Sequence, residues 1–283
     1  MRMEMEEVNC PLCEESKGEP LHREDSFQMV RCPSCQFIFL NPRPTSDSLF
    51  QFYQQYLPEG ETSIESWEKM MRPVFQRAAS MLRQYRRGGR LLDVGTGFGF
   101  FLAEMKKSGW EAEGIEISQK AMDYARDALG LTLLPGPLEK VDFPDRDFDA
   151  VTAFYVIEHL PRPIAFLKEC HRILKPGGLL LLRYPHTTPI KNVLQLFSVK
   201  NHFYDLPAHL SDFSPKIIQG CFERIGFGNC RHLIGGYTLP HDLEKRTASI
   251  LFGSLSEALF YLSGKKLLFP GVSKTILGFK NER

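Results

Sequence analysis

The sequence lacks any long apolar run. Its most apolar stretches, such as LLLLRYP and ASILFGSL, are far shorter than the roughly 20 residues that a membrane-spanning helix needs. Its start, MRMEMEEV, is acidic and is followed by no apolar stretch, which argues against a secretory signal peptide. These two absences predict a soluble, cytoplasmic protein.

The sequence also lacks an excess of charge of either sign. Lys and Arg together number 35, and Asp and Glu number 34, in a chain of 283 residues. Such a balance gives no overall attraction to nucleic acid or to an anionic membrane surface. With 43% hydrophobic residues, the chain has the composition of a globular protein that can bury a sizeable core.

Cysteine is scarce outside the N-terminal region. Four of the seven cysteines lie in the first 35 residues, within the sequences CPLC and CPSC. Without a secretory signal, such pairs favour metal binding by thiolates over a disulfide framework, and unpaired or redox-active cysteines are the alternative. Two C-x2-C pairs with 18 residues between them predict one tetrahedral, structural Zn2+ site. Its predicted ligands are Cys10, Cys13, Cys32 and Cys35.

The pattern along the chain divides it into three segments. A cysteine-bearing module covers residues 1–40, helices cover 41–88, and an α/β region covers 89–283. In the third segment, apolar strand-like runs alternate with helix-like runs that end in glycine. This alternation predicts an α/β fold with a doubly wound, mostly parallel sheet that carries helices on both faces.

A glycine-rich turn, DVGTGFG at residues 93–99, follows the first strand of the α/β region. Ligands of such folds bind beyond the carboxyl ends of the strands, where glycine lets a ligand approach the backbone. A dinucleotide fingerprint would need glycine where Phe100 stands, and the Gly-Lys-Ser/Thr of a phosphate-binding loop is absent. Glu116, at the end of the next strand, is placed to accept two hydrogen bonds from ribose hydroxyls. A glycine turn and a ribose acid without a phosphate anchor fit S-adenosylmethionine.

From about residue 88 onward the chain resembles the class I, Rossmann-like S-adenosylmethionine-dependent methyltransferases. The resemblance is carried by LLDVGTGFG, GIEIS, GPLEKVDFPDRDFDAVTAFYVIEHLPRP, LKECHRILKPGGLLLL and HLSDFSP followed by FERIGF. The N-terminal CPLC and CPSCQFIFLNPRP are similar to the zinc-ribbon start of one bacterial branch, whose members modify small molecules, sugars, lipids or secondary metabolites. The resemblance implies methyl transfer to such an acceptor. It also implies a seven-stranded sheet, preceded by a zinc-ribbon module and covering helices.

The resemblance further implies which residues contact the cofactor. The glycine turn would follow the methionine part and the ribose, and Phe154 would face the sulfonium. Ile117 on one side, and Pro137 with Leu138 on the other, would enclose the adenine. The family more often has Asp where Glu116 stands. The implied contacts are Asp93, Gly95, Thr96, Gly97, Gly99, Glu116, Ile117, Pro137, Leu138 and Phe154.

Two histidines are candidates for contact with the methyl acceptor. The sulfonium methyl is already activated, so catalysis mainly requires in-line placement of the acceptor. A hydroxyl or an acidic carbon would also need a base, for which histidine is the best-suited residue type. His159 follows a strand on the ligand side of the sheet, and His209 lies in a loop that faces the acceptor in the family. Tyr53 and Tyr56 are candidates for a lid over the cofactor.

Two other functions remain open from the sequence. The first is an RNA methyltransferase guided by the zinc module, with a basic cluster at Arg83, Arg86, Arg87 and Arg90. The neutral net charge and the lack of a basic stripe with interleaved aromatics argue against nucleic acid as a partner. The second is a cofactor-binding protein without catalysis. The segment 247–271 could contact a partner or a membrane surface. The sequence is compatible with methylation of oxygen, nitrogen or carbon. It is also compatible with any oligomeric state.

Overall fold

The computed structural model describes residues 3–196, 204–264, 267–268 and 273–281. Its strands and helices, in chain order, are β1 (Met5–Glu6), β2 (Glu19–Glu24), β3 (Phe27–Arg31), β4 (Ile38–Leu40), β5 (Arg43–Pro44), α1 (Ser46–Tyr53), α2 (Glu61–Tyr85), β6 (Arg90–Val94), α3 (Phe100–Lys107), β7 (Glu111–Glu116), α4 (Gln119–Leu129), β8 (Leu134–Pro135), β9 (Phe148–Phe154), α5 (Pro163–Ile173), β10 (Leu174–Tyr184), α6 (Thr188–Leu196), β11 (Ser211–Asp212), α7 (Pro215–Ile225), β12 (Phe227–Leu233), α8 (Leu243–Leu262) and β13 (Lys274–Lys280). Short 3-10 helices cover Leu138–Lys140 and Ile157–His159.

Seven strands form the central sheet, in the order β12-β13-β10-β9-β6-β7-β8. Strand β13 runs antiparallel to both of its neighbours, and the other six strands are parallel to one another. The predicted doubly wound, mostly parallel sheet of seven strands is therefore confirmed. The chain order reverses between β6 and β9, so the carboxyl ends of these two strands border the crevice where ligands of such sheets bind.

Apolar side chains cover both faces of this sheet. On one face, Leu91 and Leu181 share a buried cluster with residues of helices α2 and α3. On the other face, Leu92 and Leu182 share a cluster with residues of helices α5 and α7. Because adjacent residues of one strand are buried on opposite faces, the strands read as continuous apolar runs in the sequence.

The N-terminal module shares both a strand and a core with the α/β region. Strands β2, β3 and β4 pair antiparallel, and β11, from far along the chain, adds to the edge beside β4. Phe37 of the module packs on Phe213 with ring centroids 4.8 Å apart. The apolar core therefore crosses the boundary predicted at residue 40.

Local sequence explains both ends of helix α7 and fails at the end of α5. Ser214 caps the first turn of α7, and Gly226 ends that helix with a φ of 111°, as is typical of a serine N-cap and a terminal glycine. The run PIAFLKECHRILKPGG predicts a helix that stops at its glycines, but KPGG lies within β10, because Leu174 already pairs with Phe148 of β9. Helix α6, strand β11 and the short strands of the module are not predicted by the sequence pattern. Within the described ranges, no helix is both long and apolar enough to cross a membrane.

Candidate active site

The glycine turn after β6 packs closely on Val156 at Gly95 and lies against Trp67 at Gly97. Gly95, Gly97 and Gly99 have φ values of 67°, 57° and 83°, in the left-handed region that side chains rarely adopt. A Cβ atom on Gly95 would lie 2.5 Å from the Cγ2 of Val156. The atom nearest to a Cβ on Gly97 would belong to Trp67, at 3.6 Å. The turn at Gly97 is therefore lined by the ring of Trp67 and by no closer side chain.

Glu116 holds this turn from the end of β7. Its Oε2 accepts the N–H of Gly97 at 2.8 Å, and its Oε1 accepts those of Ile117 and Ser118 at 2.8 and 2.9 Å. Burial raises the pKa of this carboxyl, and the three backbone donors oppose the shift. Because a carboxylate has about four lone-pair sites, one remains for a ligand. Binding of both ribose hydroxyls, as the sequence predicts, would require one backbone bond to open.

Asp93 is the second buried acid beside the turn. Its side chain is 1% exposed and accepts a hydrogen bond from the Oγ1 of Thr152 at 2.6 Å. Burial raises the pKa of Asp93 to about 7, and the bond from Thr152 opposes this shift. Thr96, another predicted contact, is buried in the same turn. A carboxyl that titrates near neutral pH gains its charge readily when an ammonium group approaches it.

The residues predicted to enclose the adenine lie near the ends of β7 and β8. The carbonyl of Ile117 accepts a hydrogen bond from the Nε2 of Gln54 at 2.7 Å, and Ile117 itself is half-buried. Pro137 is half-buried and precedes the short helix that starts at Leu138. Leu138 is 1% exposed, and its side chain lies in the apolar core. Contact between a ligand and Leu138 would therefore involve the backbone of this residue.

Phe154, predicted to face the sulfonium, ends strand β9. Its ring lies edge-on to Phe101 and Phe75, with centroid distances of 4.8 and 5.6 Å. The ring is thus oriented towards helices α2 and α3 and stays half-buried.

Two residues of the segment that carries α1 and α2 reach the glycine turn and the end of β7, and neither was predicted. Gln54, directly after α1, donates to the carbonyl of Ile117 and accepts the N–H of Gln119 at 3.1 Å. Trp67 of α2 lies over Gly97. In the sequence, only the rarity of tryptophan, which occurs twice in the chain, could have drawn attention to Trp67.

The structure brings His159 and His209 together, with ring centroids 4.9 Å apart. The Nδ1 of His159 lies 2.9 Å from the carbonyl of Ala208, so this nitrogen is the donor and Nε2 is left as an acceptor. Tyr53 donates to the same carbonyl at 2.7 Å. The rings of Tyr53 and Tyr56 lie edge-on to His159, at 5.3 and 5.5 Å. The two predicted histidines and the two predicted tyrosines thus form one cluster.

Both histidines are neutral at physiological pH. Burial, and then the neighbouring His209, lower the pKa of His159 to about 3. Burial lowers the pKa of His209 to about 4. A neutral imidazole can accept a hydrogen bond or bind a metal, but a group with so low a pKa is a weak base. The pair is therefore better suited to orienting an acceptor than to deprotonating it.

Tyr155 and Arg183 form a polar pair that sequence reasoning missed. Tyr155 has a φ of 58°, an uncommon value for an aromatic residue. Arg183 is 1% exposed and donates to the Oη of Tyr155 at 2.8 Å, the carbonyl of Gly236 at 2.9 Å and the Oγ1 of Thr275 at 3.2 Å. These three partners are neutral, so Arg183 places a buried positive charge beside the end of β9. An arginine inside the apolar run LLLLRYP was the available signal.

The four cysteines of the N-terminal module converge on one point. Their sulfurs all lie within 4.8 Å of one another. The sulfurs of Cys10 and Cys35, and those of Cys13 and Cys32, are 3.5 Å apart. In each C-x2-C pair, the carbonyl of the first cysteine accepts the N–H four residues later at 2.9 Å, so the two turns are alike. This donor set and its convergence fit a tetrahedral Zn2+ ion.

The basic cluster at the end of α2 is largely paired with acids. Arg86 forms an ion pair with Asp149, and Arg90 forms ion pairs with Asp147 and Glu113. These pairs lie at the amino end of β6, opposite the glycine turn. A polyanion bound there would compete with three carboxylates and would lie far from the crevice.

Known proteins that resemble this chain are methyltransferases, in agreement with its sheet and glycine turn. A family model described as a methyltransferase domain matches residues 66–232. The chain is 30% identical over 143 residues to a ubiquinone biosynthesis O-methyltransferase of Alkalilimnicola ehrlichii, which covers 48% of this chain and 58% of that protein. The chain thus spans about half the length of the curated relatives that it matches.

Two solved structures have a similar fold. A methyltransferase of Thermotoga maritima that depends on S-adenosylmethionine gives a TM-score of 0.54 at 19% identity, and the match covers 82% of this chain and 100% of that one. Phosphoethanolamine N-methyltransferase 2 of Haemonchus contortus, solved with S-adenosyl-L-methionine, gives a TM-score of 0.55 at 14% identity. This match covers 92% of this chain and 70% of that one.

Proposed function

The chain belongs to the class I S-adenosylmethionine-dependent methyltransferases, and we propose that its methyl acceptor is a small-molecule or conjugated metabolite. In the reaction, the acceptor atom forms a bond to the methyl carbon. The carbon–sulfur bond breaks with its electron pair on sulfur, S-adenosylhomocysteine is released, and the acceptor loses its proton. The observation that carries the proposal is that the glycine turn and the cluster around His159 and His209 follow the carboxyl ends of two neighbouring parallel strands, β6 and β9.

We assign the cofactor to the side of the glycine turn that faces Trp67. The raised pKa of Asp93 supports a role beside the ammonium of the methionine part, because a cation there would favour the charged carboxyl. The remaining lone pair of Glu116 supports a hydrogen bond from the ribose. The half-buried positions of Ile117 and Pro137 support contact with the adenine. The proposed contacts are Asp93, Gly95, Thr96, Gly97, Gly99, Glu116, Ile117, Pro137, the backbone of Leu138, and Phe154.

The acceptor is assigned to the histidine cluster. The Nε2 of His159 is free to accept a hydrogen bond, because Nδ1 already donates to Ala208. Since the methyl group is activated, holding the acceptor atom in line accounts for most of what the protein must do. The relative from Alkalilimnicola ehrlichii is named as an O-methyltransferase, which supports a hydroxyl as the acceptor group.

The four cysteines would hold a structural Zn2+ ion, which supplies folding energy and takes no part in the reaction. Strand β4 of this module pairs with β11, and Leu40 donates its N–H to the carbonyl of Leu210 at 2.8 Å. Leu210 directly follows His209. The zinc module therefore supports the loop that carries the acceptor side.

An isotope-transfer experiment tests this proposal. Purified protein is incubated with S-adenosylmethionine carrying a labelled methyl group and with either a metabolite extract or total RNA. We expect label in the small-molecule fraction, loss of this label with Glu116→Ala, and no change with Glu111→Ala, an exposed acid at the start of the same strand. Label in tRNA or rRNA that disappears in an Arg86→Ala, Arg87→Ala double variant would overturn the small-molecule assignment.

A further inference from the structure

Glu158 is a buried carboxyl group that the methyl-transfer scheme leaves unexplained. It is 0% exposed, and neither of its carboxylate oxygens has a hydrogen-bond partner in the described part of the chain. A buried polar group without a partner is costly, so each such group calls for an explanation, such as a catalytic role, an ordered water or a bound ion.

The two histidines complete a set of ligand atoms around this carboxyl. One ligand atom from each of Glu158, His159 and His209 lies within 4.8 Å of the other two. Neither imidazole hydrogen-bonds to the carboxylate within the described ranges. A purely structural cluster would close such a bond, because it would satisfy both groups. The three groups instead lie close together without this bond.

The surroundings of the histidines are those of metal ligands. A metal-bound histidine typically donates its second ring N–H to a carbonyl or carboxylate, which fixes the ring. The Nδ1 of His159 is already held in this way by the carbonyl of Ala208. Asp205 lies 3.9 Å from the Nε2 of His209, and its carboxylate accepts a hydrogen bond from Tyr56 at 2.7 Å.

We propose that Glu158, His159 and His209 bind a divalent transition-metal cation, which in turn binds an oxygen atom of the methyl acceptor. Two nitrogens and one carboxylate oxygen suit Zn2+, Mn2+ or Fe2+ better than Mg2+ or Ca2+, which prefer oxygen donors. Three protein ligands leave open coordination positions, as in catalytic sites and unlike the closed four-cysteine site. The proposal rests on the proposed acceptor role of the histidine cluster and narrows the acceptor to a molecule with a metal-binding oxygen, such as a hydroxyl.

Titration with Co2+ tests the site directly. Full-length protein with zinc in its cysteine site is titrated with Co2+, while binding is followed by calorimetry and by absorption. We expect one further equivalent to bind, without the thiolate-to-cobalt charge-transfer band that a cysteine site would give. His209→Ala and Glu158→Gln should weaken this binding by roughly 100-fold or more, since even loss of a supporting partner costs 10- to 100-fold. His241→Ala, which removes an exposed histidine, is the matched control.

Two results would overturn the metal proposal: no further equivalent of Co2+ in the wild-type protein, or a further equivalent that survives in both variants. The wild-type result alone decides the matter if the variants fail to fold. Calorimetry with S-adenosylmethionine is run on the same samples. Cofactor binding without the second metal would refute the metal site and leave the methyltransferase assignment intact, whereas absence of cofactor binding would count against the proposed function itself.

Discussion

The cofactor side and the acceptor side of the crevice differ in how far apart their residues lie in the chain. Gly97 and Glu116, which hydrogen-bond on the cofactor side, are 19 residues apart. Tyr53 and Ala208, which hydrogen-bond on the acceptor side, are 155 residues apart. The bond between Gly97 and Glu116 lies within one strand–turn–helix–strand unit, to which Gln54 and Trp67 are added from the segment that carries α1 and α2. The second side is assembled from α1, the end of β9 and the loop before β11. The acceptor side can therefore change without altering the cofactor side, and it depends on the N-terminal module.

Loss of the zinc ligands should separate the two sides most strongly. In Cys32→Ser we expect loss of bound zinc and a fall in the free energy of unfolding of several kcal/mol, because metal binding supplies folding energy to the module. Hydrogen exchange at residues 204–213 should accelerate, while affinity for S-adenosylmethionine stays within about threefold at low temperature. Cys230→Ser, outside the cluster, is the control. Unchanged exchange at 204–213 in a zinc-free variant would contradict the dependence of the acceptor side on the module.

Removing the charge of Asp93 should change both the stability of the protein and its affinity for the cofactor. The pKa of this carboxyl is about 7 when folded and about 3.9 when unfolded. Between these pH values the folded protein binds more protons than the unfolded chain, so this group makes the protein less stable as the pH rises. Asp93→Asn should therefore stabilise the protein by about 1–3 kcal/mol at pH 8. This gain should shrink towards zero as the pH falls to about 4.

The same substitution should weaken binding of S-adenosylmethionine by roughly tenfold or more, since a charged hydrogen bond to the ammonium is lost. Thermal unfolding across this pH range and calorimetry at pH 8 measure the two effects. Stability that shows the same pH dependence in Asp93→Asn and in the wild-type protein would rule out the raised pKa.

Tyr53→Phe should produce a smaller effect, confined to the acceptor side. It removes the hydrogen bond from Tyr53 to the carbonyl of Ala208, which should cost about 1 kcal/mol of stability. Cofactor affinity should not change. Tyr124→Phe, which removes a hydroxyl from the cofactor side on α4, is the matched control. Denaturant unfolding measures the free energy of unfolding of both variants. An equal loss of stability in the two would show no special role for the bond from Tyr53 to Ala208.

The smallest effect is expected at the opposite end of the sheet. The Arg86→Ala, Arg87→Ala double variant should bind S-adenosylmethionine like the wild-type protein, because both residues lie at the amino end of β6. Asp149 keeps its ion pair with Lys175 at 2.8 Å and its bond from the backbone of Arg90. Calorimetry measures the affinity of the double variant for S-adenosylmethionine. A loss of affinity beyond threefold would show a coupling between the two ends of the sheet.

The difference between residues that are close in the chain and residues that are far apart also explains which features the sequence predicts. The sheet, the glycine turn and the convergence of the four cysteines follow from periodicity and spacing over short stretches. The meeting of His159 with His209 depends on which loops the fold brings together, so the sequence marks them only as separate candidates. Glu158 looks like an ordinary acid in the sequence, since its burial without a partner arises only in three dimensions. The positive φ of Tyr155 likewise has no sequence signal.

Calorimetric titration of S-adenosylmethionine into the wild-type protein, Glu116→Ala and His209→Ala tests the division into two sides most directly. The wild-type protein should bind S-adenosylmethionine and not NAD. Glu116→Ala should bind more weakly by about 1.5–3 kcal/mol, because hydrogen bonds to a charged acceptor are lost. His209→Ala should bind within about threefold of the wild-type protein. Tight binding of NAD, or a larger loss of affinity in His209→Ala than in Glu116→Ala, would contradict the account.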